Sequence, residues 1–202
     1  MPTPRPALLS SIHSLISAFS SGASTPVILA HFTTSPAPLV HEHGSPFLQP
    51  SLPFIGRDFT GMTGVGEYFD VLAQYLSYSD MVFEDEDDWV VDPQNLTICL
   101  RGRAQFTYKR TGDSWLETFM WRITLSEDLG QSEPDVGQGL KVQEYRVWSD
   151  TGAALLASRG ELQGEKSRKY VSDAARADGV LGSDYPVKDK LGSGLSFGGS
   201  SG

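Results

Sequence analysis

Residues 141–156 read KVQEYRVWSDTGAALL and are the most informative stretch of the chain. Their alternation predicts a β-strand that begins at Lys141 and delivers an acid, Asp150, to its end. A period of two also sorts the side chains onto two faces. One face is predicted to carry Val142, Glu144, Arg146, Trp148 and Asp150, and the other Lys141, Gln143, Tyr145, Val147 and Ser149.

The composition limits the kinds of protein that this chain can be. Its 202 residues fit one domain of ordinary size with a tail, and 39% hydrophobic residues allow a real core. The net charge of -9 repels nucleic-acid phosphates and anionic membrane surfaces, so neither is expected as a partner. The single cysteine, Cys99, cannot form an internal disulfide, which favours a reducing compartment and predicts a cytoplasmic protein. No apolar run reaches the roughly 20 residues that a membrane-spanning helix needs.

Hydrophobic periodicity predicts helices first and strands afterwards, which is the order of an α+β domain. Helices are predicted at 7–19, 26–32 and 61–76, and strands at 38–43, 81–91, 96–108 and 115–125, ahead of the strand at Lys141. The proline-containing segment 44–54 is predicted to be an irregular loop. We expect the domain to cover residues 1–160. Residues 161–202 are polar and then rich in Gly and Ser, so they are predicted to form a mobile tail.

The stretch at 141–156 resembles the last strand of SnoaL-like polyketide cyclases and related members of the nuclear transport factor 2-like superfamily. Six residues fall in step with the pattern of those proteins: Lys141, Val142, Glu144, Asp150, Leu155 and Leu156. The resemblance implies a cone-shaped, curved antiparallel sheet that encloses a pocket together with N-terminal helices. It also implies a homodimer formed through the sheet face.

A second cluster, His41-Glu42-His43, lies on the first predicted strand. Alternation places the two histidines on one face and Glu42 on the other, and imidazoles in a cavity can transfer protons near neutral pH. The segment is similar to the Glu-Asp-Pro strand of ketosteroid isomerase-like proteins, and this similarity puts His43 at the position of their general base, with His41 assisting. In the alternative interpretation, the histidines face solvent with Glu42 inward, or have no function. A zinc site needs three or four convergent ligands, so no metal is predicted.

Asp150 has two interpretations. The resemblance implies an acid/base residue of ring closure, since the aligned Asp of the cyclases has that role. An acid just before a helix is also a natural N-cap, which accepts hydrogen bonds from backbone N–H groups near Gly152. We weigh both interpretations equally.

The predicted substrate-binding residues combine an aromatic wall with polar groups. The set comprises Trp115, Glu117, Phe119, Trp148, Arg101, Arg103, Tyr68 and Phe69. Core packing is the alternative role of the aromatic residues, and a surface location is the alternative for the two arginines. The sequence departs from the isomerase pattern at Leu15 and Phe119, where the isomerases carry their oxyanion-binding pair. Glu117, on the same face as Phe119, is a possible substitute.

These features lead to one functional hypothesis and one alternative. The hypothesis is a cofactor-free acid/base enzyme, a cyclase, isomerase or dehydratase that acts on a hydrophobic, polyketide-like small molecule in secondary metabolism. His43 or Asp150 would transfer the proton inside one enclosed pocket. The alternative is a non-catalytic small-molecule-binding or protein-interaction module of the same fold, because a fold does not determine a function.

Overall fold

The helices and strands follow one another in the order that the periodicity predicts. A computed structural model describes residues 5–130 and 139–162. Its helices are α1 (Arg5–Ser20), α2 (Thr25–Leu29), α3 (Gly61–Tyr75) and α4 (Thr151–Arg159). Its strands are β1 (Leu39–Glu42), β2 (Asp58–Thr60), β3 (Leu76–Phe83), β4 (Val90–Asp92), β5 (Thr97–Tyr108), β6 (Ser114–Ser126) and β7 (Lys141–Trp148). Two short 3-10 helices cover Pro46–Leu48 and Glu86–Asp88.

The strands form one curved, unclosed sheet in the order β2-β1-β7-β6-β5-β3, with β4 paired to β5. Neighbouring strands are antiparallel except for β1 and β7, which run parallel. The N-terminal helices pack on the inner face because their apolar residues recur at helical spacing, as in α1 with its buried Leu8, Ile12, Leu15 and Phe19. The prediction of an α+β fold with a curved antiparallel sheet and N-terminal helices is confirmed.

The prediction of one strand at 81–91 is wrong. Strand β3 begins at Leu76, directly after α3, and ends at Phe83, and the acidic segment that follows forms a 3-10 helix before β4. Asp80 has a positive φ of 55°, and the pairing of β3 with β5 shifts register between Ser79 and Val82. An irregular strand at the edge of a sheet is only partly buried, so it lacks the apolar alternation that identifies a strand.

Strand β7 contains a bulge that strict alternation does not anticipate. Thr124 pairs with Glu144 and the next residue, Leu125, pairs with Val142, so Gln143 is an extra residue on β7. The predicted alternation is observed from Glu144 onwards, where Tyr145, Val147 and Ser149 lie on the inner side. Val142 was predicted on the opposite face from Tyr145, but the bulge turns both toward the core.

Two further predictions concern the C-terminal tail and membrane-spanning helices. Of the predicted tail at 161–202, only residues 161 and 162 are described, so that prediction lies outside the described residues. No helix within 5–130 or 139–162 combines the length and the apolar character needed to cross a membrane.

Candidate active site

A cavity lies between the inner face of the sheet and the helices α1 and α3. Its volume is about 60 Å³, room for a few water molecules but well below the roughly 150 Å³ of a cavity known to hold benzene. More than half of its lining residues are aromatic: Phe19, Phe54, Tyr68, Tyr78, Phe106, Trp115, Phe119, Trp121 and Tyr145. Two glutamates, Glu42 and Glu117, also line it, and the described residues around it include no lysine, arginine or histidine. The cavity is therefore an apolar space with two carboxyl groups and no compensating cation in its wall.

Glu42 is the last residue of β1, and its side chain points inward with only 6% exposed. Tyr68 on α3 donates a hydrogen bond from its hydroxyl to Oε2 at 2.7 Å, and Ser149 donates from Oγ to Oε1 at 3.0 Å. Burial raises the pKa of Glu42 to about 7, against the lowering effect of these two hydrogen bonds, and repulsion from Glu117 adds to the increase.

Glu117 lies near the start of β6 and is 4% exposed. The indole N–H of Trp115 donates to Oε2 at 2.8 Å, and the backbone N–H of Asp150 donates to Oε1 at 2.8 Å. Burial raises the pKa of Glu117 to about 7, the two hydrogen bonds oppose this, and the nearby Asp150 carboxylate adds to it. The two residues that follow β7 therefore contact both glutamates: Ser149 donates to Glu42, and the backbone N–H of Asp150 donates to Glu117.

The pair has the properties of an acid/base centre. Burial raises the pKa of each carboxyl to about 7, and the charge of Glu117 raises the pKa of Glu42 further, so near neutral pH one carboxyl can be protonated while the other is ionised. One glutamate can then accept a proton while the other donates one. Perturbed carboxyls in a concave apolar site are the usual mark of such chemistry.

The two histidines do not line this cavity. Nδ1 of His41 lies 2.6 Å from Oδ1 of Asp58 on β2, and His43 is exposed, with its ring stacked on Trp148 at 6.2 Å between centroids. The shared face predicted for the histidines is observed, but it is the outer face. Val40 and Glu42 occupy the inner face of β1, which is the alternative arrangement for this cluster. The expectation that His43 points into an enclosed pocket is therefore not met.

Asp150 is exposed and caps α4. Its Oδ1 accepts hydrogen bonds from the backbone N–H groups of Gly152 at 2.9 Å and Ala153 at 3.3 Å. Only its backbone reaches the site, through the hydrogen bond to Glu117. The expected convergence of the His43 and Asp150 side chains in one cavity is not observed, because both point away from it.

The capping geometry predicts how two substitutions of Asp150 will differ. Asp150→Ala removes both cap bonds and is expected to lower the free energy of unfolding by about 1 kcal/mol, whereas Asp150→Asn keeps an acceptor there and costs only a few tenths. Urea denaturation of the two variants at pH 7 measures the difference. An equal loss in both would show that the negative charge, and not the cap, is what stabilises this helix end.

The structure divides the predicted substrate-binding residues into two groups. Trp115, Glu117, Phe119 and Tyr68 line the cavity, and Phe69 packs beside it against the Tyr68 ring at 5.0 Å. Arg101, Arg103 and Trp148 lie on the outer face of the sheet, where Nε of Arg101 is 3.4 Å from Oε2 of Glu84.

Sequence reasoning placed Glu42 inward only as the alternative and did not name it as a site residue, and it missed the cavity residues Ser149, Tyr78 and Tyr145. Glu42 shares its face with the apolar Val40, but the histidines share theirs with the apolar Leu39, so the pattern does not identify the inner face. Within the described ranges, no three His, Cys, Asp or Glu side chains are grouped to hold a metal ion.

Comparison with known proteins identifies the fold. No family model and no curated protein sequence matches the chain. Among solved structures, PrhC from Penicillium brasilianum is 20% identical, with a TM-score of 0.53 over 81% of this chain and 96% of that one. An NTF2-like protein from Burkholderia xenovorans is 14% identical (TM-score 0.52; 76% and 96% covered), and the BvnE pinacolase from Penicillium brevicompactum is 13% identical (0.52; 85% and 99%). The chain therefore has an NTF2-like fold, as the resemblance implied.

Proposed function

We propose that this protein is an acid/base enzyme that acts on a neutral, mainly apolar small molecule in the cavity. The observation that carries the proposal is the pairing of Glu42 and Glu117, two buried carboxyls in one apolar space. Burying two carboxyls without a cation destabilises a fold, so their retention calls for a function that uses them. The NTF2-like fold supports the proposal only as a scaffold with an internal cavity.

The contacts of the two glutamates suggest which one is the base. Glu42 accepts hydrogen bonds from two hydroxyl groups, on Tyr68 and Ser149, and such donors stabilise a carboxylate. Glu117 also accepts two hydrogen bonds, but the nearby Asp150 carboxylate opposes its ionisation and favours its protonated form. We therefore assign Glu42 as the base and Glu117 as the acid.

A reaction that this pair can perform is enolisation of a ketone. Glu42 accepts a proton from the carbon next to the carbonyl as the C–H electron pair becomes the new carbon–carbon double bond. Glu117 gives its proton to the carbonyl oxygen, so the product is a neutral enol and the glutamates have exchanged protonation states. Return of a proton to another carbon gives isomerisation, loss of a β-hydroxyl gives dehydration, and attack of the enol on a second carbonyl gives cyclisation.

A polyketide-like substrate of secondary metabolism fits this chemistry, since repeated carbonyls supply acidic C–H bonds and the aromatic wall suits a flat ring. The cavity as it stands, at about 60 Å³, has room for a few water molecules and not for a whole ring. A larger substrate requires part of the wall to move outward. The cyclase, isomerase and dehydratase reactions share the same first step, so a test of proton transfer covers all three.

Exchange of the α-hydrogens of cyclohexanone in D2O, followed by NMR, tests proton abstraction without the natural substrate. We expect exchange above the buffer rate with an optimum near pH 7, where one glutamate is ionised and the other protonated. Glu42→Gln and Glu117→Gln are each expected to reduce the enzymatic rate by about a hundredfold or more. Glu127→Gln, at an exposed glutamate, is the matched control and should leave the rate unchanged. Equal exchange in all four proteins would favour a non-catalytic binding module.

A further inference from the structure

Three tyrosines line the cavity, and their hydroxyl groups differ in one respect. Tyr68 donates to Glu42, and Tyr78 donates to the backbone carbonyl of Phe19 at 3.0 Å. The hydroxyl of Tyr145 forms no hydrogen bond with any of the described residues, although the side chain is 3% exposed. Of the three, Tyr145 is therefore the tyrosine whose hydroxyl is available to donate a hydrogen bond to a ligand in this cavity.

The ring of Tyr145 is held firmly in place. It stacks on Phe19 of α1 at 6.2 Å between centroids and meets Trp121 of β6 edge-on at 5.1 Å. Phe32 and Phe69 contact it from other sides at 6.3 Å each. Aromatic packing on several sides leaves the ring little freedom to turn its hydroxyl toward another partner.

The hydroxyl lies close to the proton-transfer pair. Burial raises the pKa of Tyr145 well above its usual range, and the neighbouring Glu42 raises it further, so the phenol is a protonated donor at neutral pH. No hydrogen bond joins Tyr145 to Glu42, whose two oxygens accept from Tyr68 and Ser149.

A buried donor without a partner is costly, and such groups are rare in folded proteins. A ligand oxygen that accepts the bond removes the cost only when the ligand is present. The indole N–H of Trp121, beside Tyr145, also has no hydrogen-bond partner among the described residues. This part of the wall therefore offers uncharged hydrogen-bond donors to a ligand. The two nearby carboxyls disfavour an anionic ligand, because their negative charge repels it.

We infer that Tyr145 is a specificity-determining residue that donates a hydrogen bond to an uncharged oxygen of the ligand, a ketone or similar carbonyl. The inference rests on the proposed function, since it places the carbonyl of that substrate within the same cavity. A carbonyl held by Tyr145 lies near Glu42, so the adjacent C–H bond is presented to the base. Carboxylates and phosphate esters are excluded as ligands of this site.

Binding of cyclohexanone and of cyclohexane, two rings of similar size that differ in the carbonyl, tests this inference without turnover. Titrations of the full chain followed by the NMR signals of the tryptophan indoles report both affinities. Tyr145→Phe should weaken cyclohexanone binding by about tenfold, the usual loss for a neutral hydrogen bond in a desolvated site, and leave cyclohexane binding unchanged.

Tyr78→Phe is the matched control, because it removes a cavity hydroxyl that already has a backbone partner. It should lower the melting temperature without changing the preference for cyclohexanone, whereas Tyr145→Phe should leave the melting temperature unchanged or raise it. The inference is overturned if Tyr145→Phe leaves cyclohexanone binding unchanged, or if it weakens both ligands equally, as a purely structural role would. Neither result bears on deuterium exchange in the Glu42 and Glu117 variants, so the two proposals fail separately.

Discussion

Replacing Glu42 and Glu117 with glutamine, singly, is expected to stabilise the folded protein at pH 8 relative to wild type while changing its stability little at pH 4. Both carboxyls have their pKa raised from 4.5 to about 7 in the folded state. A pKa difference of one unit corresponds to ~1.4 kcal/mol, so each carboxyl lowers the free energy of unfolding of wild type by about 3 kcal/mol between acidic and alkaline pH.

The sign follows from proton binding. Below pH 4.5 the carboxyls are protonated in both the folded and the unfolded chain, so they impose no penalty. Between pH 4.5 and 7 the unfolded chain releases these protons while the folded chain retains them, and the free energy of unfolding falls as pH rises. Above pH 7 the folded state carries both buried charges, and the loss is complete. Glutamine cannot ionise, so the loss at that position disappears.

Urea denaturation from pH 4 to 9 measures this effect directly. The difference between each variant and wild type should grow through the window from pH 4.5 to 7 and then level off. Glu127→Gln should follow the wild-type curve at every pH. A difference that stays constant across the range would mean that the buried carboxyls do not change protonation there, and would remove the physical basis for the acid/base assignment.

The second large effect is expected at Trp121, where substitution by alanine should lower the free energy of unfolding by about 3–5 kcal/mol. Trp121 is 2% exposed, and its ring contacts Phe19, Phe83, Phe119 and Tyr145 at centroid distances between 4.7 and 5.4 Å. These rings belong to α1 and to three strands, so the indole connects the helical layer to the sheet. Its removal leaves a gap that the surrounding rings cannot fill.

Thermal and urea denaturation of Trp121→Ala measure this loss, and Trp148→Ala is the matched control. Trp148 lies on the outer face and is 39% exposed, so its loss should cost much less. Free indole is expected to bind in the gap and restore part of the stability, about 1.4 kcal/mol at ten times its Kd. Similar losses in the two variants would contradict the central position of Trp121 in the core.

Periodicity predicted the elements that are buried on one side along their whole length. The strands predicted at 96–108 and 115–125 agree closely with β5 and β6, because each alternates between the core and the outer face throughout. The helices α1 and α3 were found for the same reason. Strand β3 was missed at its start because an edge strand with a register shift has no regular contrast between its faces.

The candidate site was predicted in part. Strand β6 supplied Trp115, Glu117 and Phe119 as one inward row, since a single long alternating strand keeps its phase. On β1 the inward proton-transfer residue was predicted to be His43, but it is the neighbouring Glu42. Only four residues of this strand alternate. In so short a strand, alternation shows that Glu42 and the histidines lie on opposite faces, but it does not show which face is turned toward the core.

The amino-acid order by itself determined the α+β class, the long antiparallel strands and an aromatic row with one acid, because these depend on contrasts between neighbours along the chain. The tertiary structure alone decided that Glu42 faces inward, since the parallel pairing of β1 with β7 sets its orientation. It also decided that the bulge at Gln143 brings Val142 and Tyr145 to the same side. The first outcome depends on pairing between segments about a hundred residues apart, and the second on pairing with β6 about twenty residues away. Periodicity within one segment carries no information about the partner.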